Sequence, residues 1–144
     1  MEDRYLFKAK RIDNGEWVQG YYAKGLYVFT DCEEVHLIFE PNTVFYSRGE
    51  TEGWYEVDPS TICQCTGLKD KNGKMIWGND VVKDKHGNFY KAFWRNNYYQ
   101  FSWICVKSDV FSIGAKWDLW SFKSFEIEVI GNIFDNPELL ESER

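Results

Sequence analysis

The fold is decided by a block near the middle of the chain, which reads Cys65-Thr66-Gly67-Leu68-Lys69-Asp70-Lys71-Asn72-Gly73-Lys74-Met75-Ile76-Trp77-Gly78-Asn79-Asp80-Val81-Val82-Lys83. Extended residues flank the Asn72-Gly73 pair on both sides. A type I′ hairpin turn needs positive φ at both central positions, and Asn-Gly supplies it at low energetic cost. The block therefore predicts a β-hairpin, in which Gly67 marks a further turn and Asp70 hydrogen-bonds its own backbone.

Two more turns follow the block. His86-Gly87-Asn88 and Asn96-Asn97 each separate extended, aromatic-rich runs. Tight turns spaced by ~10 to 15 residues are typical of an antiparallel meander or a small barrel. After Gly114, the stretch Lys116–Phe122 fits a short helix and a strand equally well, and Phe125–Ile130 alternates as a late strand.

The first half of the chain also alternates with a period of two. Tyr5, Phe7 and Ala9 form the apolar side of a half-buried strand, and Asp13-Asn14-Gly15 follows as a turn. A second turn is predicted at Lys24-Gly25. Further extended runs are predicted at residues 16–23, 26–30, 35–40, 43–47 and 53–57.

These patterns predict a mainly β (β-rich α+β) fold of antiparallel strands and hairpins, with a small SH3-like barrel in the second half. A short C-terminal helical turn is predicted at Asn136-Pro137, because Asn caps helices and Pro suits the first helical position. The 144 residues fit one domain, 1–144. A subdivision near residue 58 would separate an N-terminal strand layer, 1–58, from a hairpin-rich barrel, 59–144.

The central block resembles the signature of the YopX family of phage and prophage proteins. That signature usually reads Tyr-Thr-Gly-Leu-Lys-Asp-Lys-Asn-Gly-Lys and then Ile-Tyr-Glu-Gly-Asp-Ile-Val. The run Glu128–Leu140 resembles the family's C-terminal signature, and Phe7–Lys10 resembles its opening strand. Two departures stand out: Cys65 lies where an aromatic residue is common, and Trp77-Gly78-Asn79 replaces Tyr-Glu-Gly and so bears on the local turn.

The resemblance covers essentially the whole chain. It implies a mainly β protein of phages, prophages and related mobile elements. It implies no catalytic activity, because none is established for the family. A shared fold does not by itself supply a functional site.

Composition limits the compartment and the partners. The formal net charge of −6 disfavours duplex DNA and anionic membranes, and the main basic cluster, Lys69–Lys74, is diluted by Asp70. The start, Met1–Arg4, does not resemble a secretory signal, and no run approaches the ~18 apolar residues that span a bilayer. Four cysteines in such a chain indicate reduced thiols. We therefore expect a protein of the host-cell cytoplasm without a membrane partner.

Catalytic and metal-binding patterns are weak. Cys63-x-Cys65 is a close thiol pair, but zinc usually takes two separated pairs, and His36 and His86 lie far away in sequence. Neither histidine lies in a nucleophile motif. Glu126 and Glu128 alternate outward on a strand, and no nucleotide-binding glycine pattern is present. The sequence therefore predicts no catalytic, cofactor-binding or metal-binding residues.

An aromatic cluster surrounds the Asn96-Asn97 turn and would place aromatic rings on both faces of one hairpin. Core packing, a protein or self-association surface, and base stacking all remain open for it. The central block shapes a hairpin, and its lysines are a second candidate recognition loop. The candidate partner-binding residues are Trp94, Tyr98, Tyr99, Trp103, Lys69 and Lys71.

The sequence therefore predicts a non-enzymatic accessory protein that acts through contacts with a host or phage protein, or through assembly as a homo-oligomer. One alternative is a small-barrel module that binds single-stranded nucleic acid, which the acidic charge disfavours. The other alternative is a cryptic enzyme.

Overall fold

A computed structural model describes residues 5–26, 33–45 and 51–140. The chain divides into two compact units, Met1–Gln64 and Cys65–Arg144, by the density of internal contacts. Most of the predicted run 26–30, the end of the run 43–47, and Cys32 lie outside the described residues.

The strands of the first unit are β1 (Phe7–Lys10), β2 (Trp17–Leu26), β3 (Glu34–Phe45), β4 (Thr51–Glu56) and β5 (Cys63–Lys69), of which β5 enters this unit by its first two residues. They form one antiparallel sheet in the order β4-β3-β2-β1-β5. The predicted run 35–40 and the described part of the run 43–47 belong to β3, whose register against β4 shifts between Phe39 and Val44. Gly20 on β2 is required, because a Cβ there would clash with the Phe39 carbonyl.

Alternation along these strands fills the interior of the first unit. Ala9, Ile38 and Val57 are fully buried at its centre. Phe7 and Tyr22 pack around them, with their ring centroids 5.7 Å apart. The period of two in the first strand therefore marked the buried side correctly at Phe7 and Ala9, whereas Tyr5 precedes the strand and is 69% exposed.

The remaining strands are β6 (Met75–Trp77), β7 (Asp80–Asp84), β8 (Phe89–Arg95), β9 (Gln100–Lys107), β10 (Lys116–Asp118) and β11 (Ile127–Asn132). The second unit contains the β5–β6 hairpin and a five-stranded antiparallel sheet in the order β10-β9-β8-β7-β11. Short 3-10 turns cover Leu119–Ser121, Ser124–Glu126 and Pro137–Leu140.

The mainly β prediction and the antiparallel hairpins are confirmed. The predicted turns at 86–88 and 96–97 connect β7 to β8 and β8 to β9. The stretch Lys116–Phe122, which was ambiguous in sequence, is a short strand followed by a 3-10 turn. The C-terminal helical turn is present, although the Asn136 amide oxygen accepts from Asn132 N at 3.2 Å instead of capping the turn.

The predicted SH3-like barrel is wrong, because the described residues form no closed barrel. The five-stranded sheet ends in β10 on one side and β11 on the other, and these two strands do not pair. β10 has three residues and passes directly into a 3-10 turn. The outer edge of β11 accepts and donates hydrogen bonds at the turn of the β5–β6 hairpin, with Lys71 N 2.9 Å from Ile127 O.

The β5–β6 hairpin closes with a three-residue loop, so the type I′ prediction was also wrong. Asp70 N donates to Lys74 O at 2.8 Å, and Gly73 N donates to Asp70 O at 3.0 Å. Gly73 has a left-handed φ of +78°, whereas Asn72 does not have a positive φ. A type I turn followed by a left-handed residue is the usual form of such a loop. The Asp70 carboxylate selects it by accepting Asn72 N at 2.9 Å.

The core of the second unit lies against one face of the five-stranded sheet. Trp103, Tyr90, Ile76 and Ile127 are among its fully buried members. No helix among the described residues is long and apolar enough to cross a membrane.

Ser102 carries a buried hydroxyl on the face of β9 opposite to Trp103, and its replacement by alanine should stabilise the protein. The Ser102 hydroxyl is buried and has no hydrogen-bond partner within the part of the chain that the structure describes. A buried unsatisfied hydroxyl costs roughly 1 to 3 kcal/mol. We expect Ser102→Ala to raise the free energy of unfolding by about 0.5 to 1.5 kcal/mol. Urea unfolding measures this change, and a loss of stability would contradict it.

Candidate functional site

The Asp70 carboxylate is a structural anchor within the predicted recognition loop. Its Oδ1 accepts Asn72 N and Lys74 N, both at 2.9 Å, and its Oδ2 accepts Val129 N at 2.9 Å. Burial raises the pKa of Asp70, but the N–H donors of Val129, Lys74 and Asn72 outweigh it and hold the pKa below its usual range. Asp70 therefore stays ionised and fixes the loop to β11.

The two candidate lysines of the same loop differ in their surroundings. Lys69 is exposed. Lys71 lies with its Nζ 3.7 Å from the carboxylate of Glu128, and Lys83 approaches the same oxygen at 3.6 Å. Exposed pairs of this kind contribute little to stability. The positive charge of Lys71 is thus partly offset by the negative charge of Glu128, which weakens the attraction of the loop for anions.

A second turn repeats the sequence Asp-Lys-x-Gly between β7 and β8. Asp84 N donates to Asn88 O at 3.0 Å, and Gly87 N donates to Asp84 O at 3.2 Å, as in the first loop. Asp84 Oδ1 accepts His86 N at 2.9 Å and Asn88 N at 3.0 Å. Asp84 Oδ2 accepts Asn88 Nδ2 and the Tyr90 hydroxyl, both at 2.9 Å. The four donors fill the acceptor positions of this carboxylate.

The pKa values at this turn follow from those contacts. Burial raises the pKa of Asp84, but the hydrogen bonds from Asn88 and Tyr90 outweigh it, so the pKa lies below its usual range. Burial, reinforced by Asp84, raises the pKa of Tyr90 and keeps its hydroxyl a donor. Burial also raises the pKa of the Cys105 thiol, which lowers its nucleophilicity at neutral pH.

The Asp84 turn borders an aromatic cleft of about 380 Å³. The Tyr90 and Trp117 rings meet edge to face at 5.4 Å, and Phe122 lies 4.7 Å from Tyr90. Phe111 packs against Trp117 at 5.1 Å, with the two rings inclined by 70°. The cleft is therefore walled by rings in several orientations beside one ionised carboxylate.

A hydrogen-bond relay fixes the loop that carries Phe111. Ser108 Oγ donates to Asn88 Oδ1 at 2.6 Å. Ser108 Oγ itself accepts hydrogen bonds from Val110 N at 2.9 Å and Phe111 N at 2.8 Å. Because Asn88 in turn donates to Asp84, the cleft wall and its carboxylate belong to one network.

The tip of the β8–β9 hairpin presents aromatic side chains. Tyr99 is 83% exposed, Tyr98 58% and Trp94 46%. Tyr99 has a left-handed φ of +52°, which bulky residues rarely adopt. The Arg95 guanidinium lies 4.0 Å from the centre of the Tyr98 ring, and Trp94 meets Phe101 edge to face at 5.3 Å. These contacts order two of the three exposed rings.

Trp103 lies in the core, unlike the other aromatic candidates. It is 0% exposed, and its Nε1 donates to Leu119 O at 3.1 Å. The register pairs Ala92 with Trp103 and Trp94 with Phe101, so these side chains share one face of the hairpin. Phe93 pairs with Ser102 and lies on the opposite face, so the expectation of aromatic rings on both faces is confirmed. On the face that carries Trp103 and Trp94, the rings are buried near the base of the hairpin and exposed near its tip.

The cysteines and histidines show no metal centre in the described part of the chain, where no three potential ligands of the His, Cys, Asp and Glu types come together. Cys63 and Cys65 are both buried, and the Cys63 thiol donates to Thr61 O at 3.2 Å. His36 Nδ1 is 2.6 Å from the Tyr22 hydroxyl, and their rings stack at 5.9 Å.

The chain is thus a mainly β protein whose ionised buried carboxylates build turns and whose exposed aromatic side chains form surfaces. It belongs to the YopX family, since the family model described as YopX protein matches residues 8–141. The resemblance noted in the sequence is confirmed over nearly the whole chain. A comparison with curated proteins gives no match.

Sequence reasoning missed the aromatic cleft. A signal was present, because Asp-Lys-x-Gly occurs at both 70–73 and 84–87 and marks two equivalent turns. Nothing in the local sequence showed that Phe111, Trp117 and Phe122 would meet beside the second turn.

Proposed function

We propose that the chain is a non-enzymatic accessory protein of phage or prophage type that acts in the host-cell cytoplasm through protein contacts at the β8–β9 tip. The observation that carries this proposal is Tyr99, an 83% exposed tyrosine held at a φ of +52°. A non-glycine residue in the left-handed region stores strain, and such strain clusters at functional sites.

The chemistry of the tip suits a protein partner. Tyr and Trp anchors dominate the energetics of many protein interfaces, and the partly ordered rings of Tyr98 and Trp94 lose little freedom on binding. Arg95 beside Tyr98 adds a planar cation at the rim of the same surface. A second copy of the chain and a distinct host or phage protein are both partners of this kind.

The test is site-specific photocrosslinking in the bacterial host. A photoreactive phenylalanine analogue placed at position 99 should crosslink to a protein, and the same analogue at the exposed Phe125 position is the control. Mass spectrometry of the adduct separates a second copy from another protein. Crosslinking from position 99 that does not exceed crosslinking from position 125 would contradict the proposal.

Replacing Tyr99 with glycine should separate binding from stability. Left-handed backbone costs a bulky residue about 1 to 2 kcal/mol, whereas glycine adopts it freely but loses about 0.5 to 1 kcal/mol of chain entropy. Tyr99→Gly should therefore change the free energy of unfolding by only about 0 to +1.5 kcal/mol. Thermal unfolding measures this change in stability. A separate binding measurement with the partner identified by crosslinking should show that the variant has lost binding.

Binding of single-stranded nucleic acid is the second candidate. The stack of Arg95 on Tyr98 is an arrangement that such proteins use for bases, although the net charge of −6 opposes a polyanion. Quenching of tryptophan fluorescence by oligonucleotides at low salt would support this second candidate. Tyr98 and Trp94 would then be the rings on which the bases stack.

A further inference from the structure

The aromatic cleft beside Asp84 shares no residues with the hairpin tip. We infer that it binds the quaternary ammonium group of a small organic cation. The walls are the rings of Phe111, Trp117 and Phe122, and the cleft also borders the Tyr90 ring, which is almost wholly buried. The faces of aromatic rings carry negative potential and attract cations that come within about 6 Å of the ring centre.

The charge around the cleft favours a cation over a neutral ligand. Asp84 supplies a carboxylate, and no Lys or Arg lies among the residues that line the cleft. His86 and Asn88 are its other polar neighbours. A cation that leaves water for this cleft therefore exchanges hydration for contact with aromatic rings and a nearby negative charge, and no Lys or Arg side chain lines the cleft.

The hydrogen bonds of Asp84 select among cations. Its two oxygens already accept four donors, from His86 N, Asn88 N, Asn88 Nδ2 and the Tyr90 hydroxyl. A primary ammonium group would bring three N–H donors that need acceptors, and buried donors without acceptors are unfavourable. A tetra-alkylated nitrogen carries the charge without any N–H, so it matches the saturated carboxylate.

The size and construction of the cleft indicate a small molecule. About 380 Å³ lies near the lower end of the volumes of small-molecule pockets, roughly 300 to 1,000 Å³. The relay from Asp84 through Asn88 and Ser108 to Phe111 holds the wall in place before a ligand arrives. Preorganisation of this kind lowers the ordering cost of binding.

The test compares choline and tetramethylammonium with the neutral isostere of choline, 3,3-dimethylbutan-1-ol. Binding is followed by the indole N–H resonance of Trp117 in two-dimensional NMR and by calorimetry. We expect both cations to bind at least about tenfold more tightly than the neutral alcohol. Equal affinities, or no binding of either cation, would overturn the inference.

Variants locate the site. Phe111 is 42% exposed, so Phe111→Leu preserves apolar packing while removing one ring face. We expect this change to weaken choline binding about threefold to tenfold and to leave the neutral alcohol unaffected. Trp120→Leu, an exposed aromatic outside the cleft, is the matched control and should leave both affinities unchanged. An equal effect of the two variants would overturn the assignment.

The source of the cation is tested separately. A peptide that carries trimethyl-lysine presents the same ammonium group on a chain that must also fit against the rim. Tighter binding of choline than of this peptide supports a free small molecule. Tighter binding of the peptide would overturn that choice of source.

Discussion

Replacing Asp70 with alanine is expected to lower the free energy of unfolding by about 3 to 5 kcal/mol. Asp70 accepts the N–H groups of Asn72, Lys74 and Val129 with a buried, ionised carboxylate. The substitution leaves these donors without their acceptor, and Val129 N lies 59 residues away along the chain. The hairpin loop and β11 therefore lose one of the hydrogen bonds that join them, while the bond from Lys71 N to Ile127 O remains.

The same substitution should also promote association. Asp70 Oδ2 occupies the outer edge of β11, where an unpaired N–H would otherwise face a neighbouring strand. Exposed strand edges are sites of edge-to-edge pairing between chains. Urea unfolding measures the stability, and sedimentation velocity measures the association. Asp109→Ala, which removes an exposed carboxylate, is the matched control. A loss in Asp70→Ala no larger than in this control would contradict the structural role.

Lowering the pH should reproduce part of the loss of stability expected for Asp70→Ala. The pKa values of Asp70 and Asp84 are both lowered in the folded protein. Groups with lowered folded pKa values stabilise the protein fully above the unfolded-state value of about 3.9, and this stabilisation is lost as pH falls through the folded value. The acid-induced fall in stability should therefore be shallower in Asp70→Ala than in the parent protein.

The polar residues of the central block illustrate what sequence alone could predict. Their positions fixed a hairpin, because turn residues and alternation are local signals. The predicted type I′ turn was wrong, because Asp70 selects another kind of turn and is itself held by Val129 on another strand. Similarly, the Asp80 carboxylate accepts Trp77 N at 2.8 Å and so shapes the turn between β6 and β7.

The departure from the family pattern at Trp77-Gly78-Asn79 has a simple explanation. Asn79 has a left-handed φ of +73°, and this is the position at which the family usually has glycine. Asparagine is the non-glycine residue that best tolerates this conformation. The turn is therefore kept although the glycine has moved to position 78, and this could not be read without backbone angles.

The aromatic residues show most clearly what the sequence alone does not predict. Composition predicted an aromatic-rich β protein, but it could not divide the rings between core, tip and cleft. Trp94 and Trp103 lie on one face of the same hairpin and differ in their distance from its tip. The cleft depends on the path of residues 108–122, which carries no local signal for where its rings will pack.

Replacing Trp103 with alanine is expected to lower the free energy of unfolding by about 3 to 5 kcal/mol. The side chain is fully buried, lies 5.9 Å from the Phe122 ring and donates its indole N–H to Leu119 O. Its removal leaves a cavity in the core of the second unit and frees a carbonyl from its donor. Thermal and urea unfolding, followed by circular dichroism, measure the loss.

Trp94→Ala is the matched control, because it removes the same side chain from the same face of the same hairpin. Trp94 is 46% exposed, and its removal chiefly loses the edge-to-face contact with Phe101. The free energy of unfolding should therefore fall by only about 1 kcal/mol. If Trp103→Ala were as mild as Trp94→Ala, the burial of Trp103 would be wrong, and Trp103 would become available as a partner anchor. If Trp94→Ala also removed partner crosslinking from position 99 while Trp103→Phe retained it, the division between tip and core would hold in function as well as in stability.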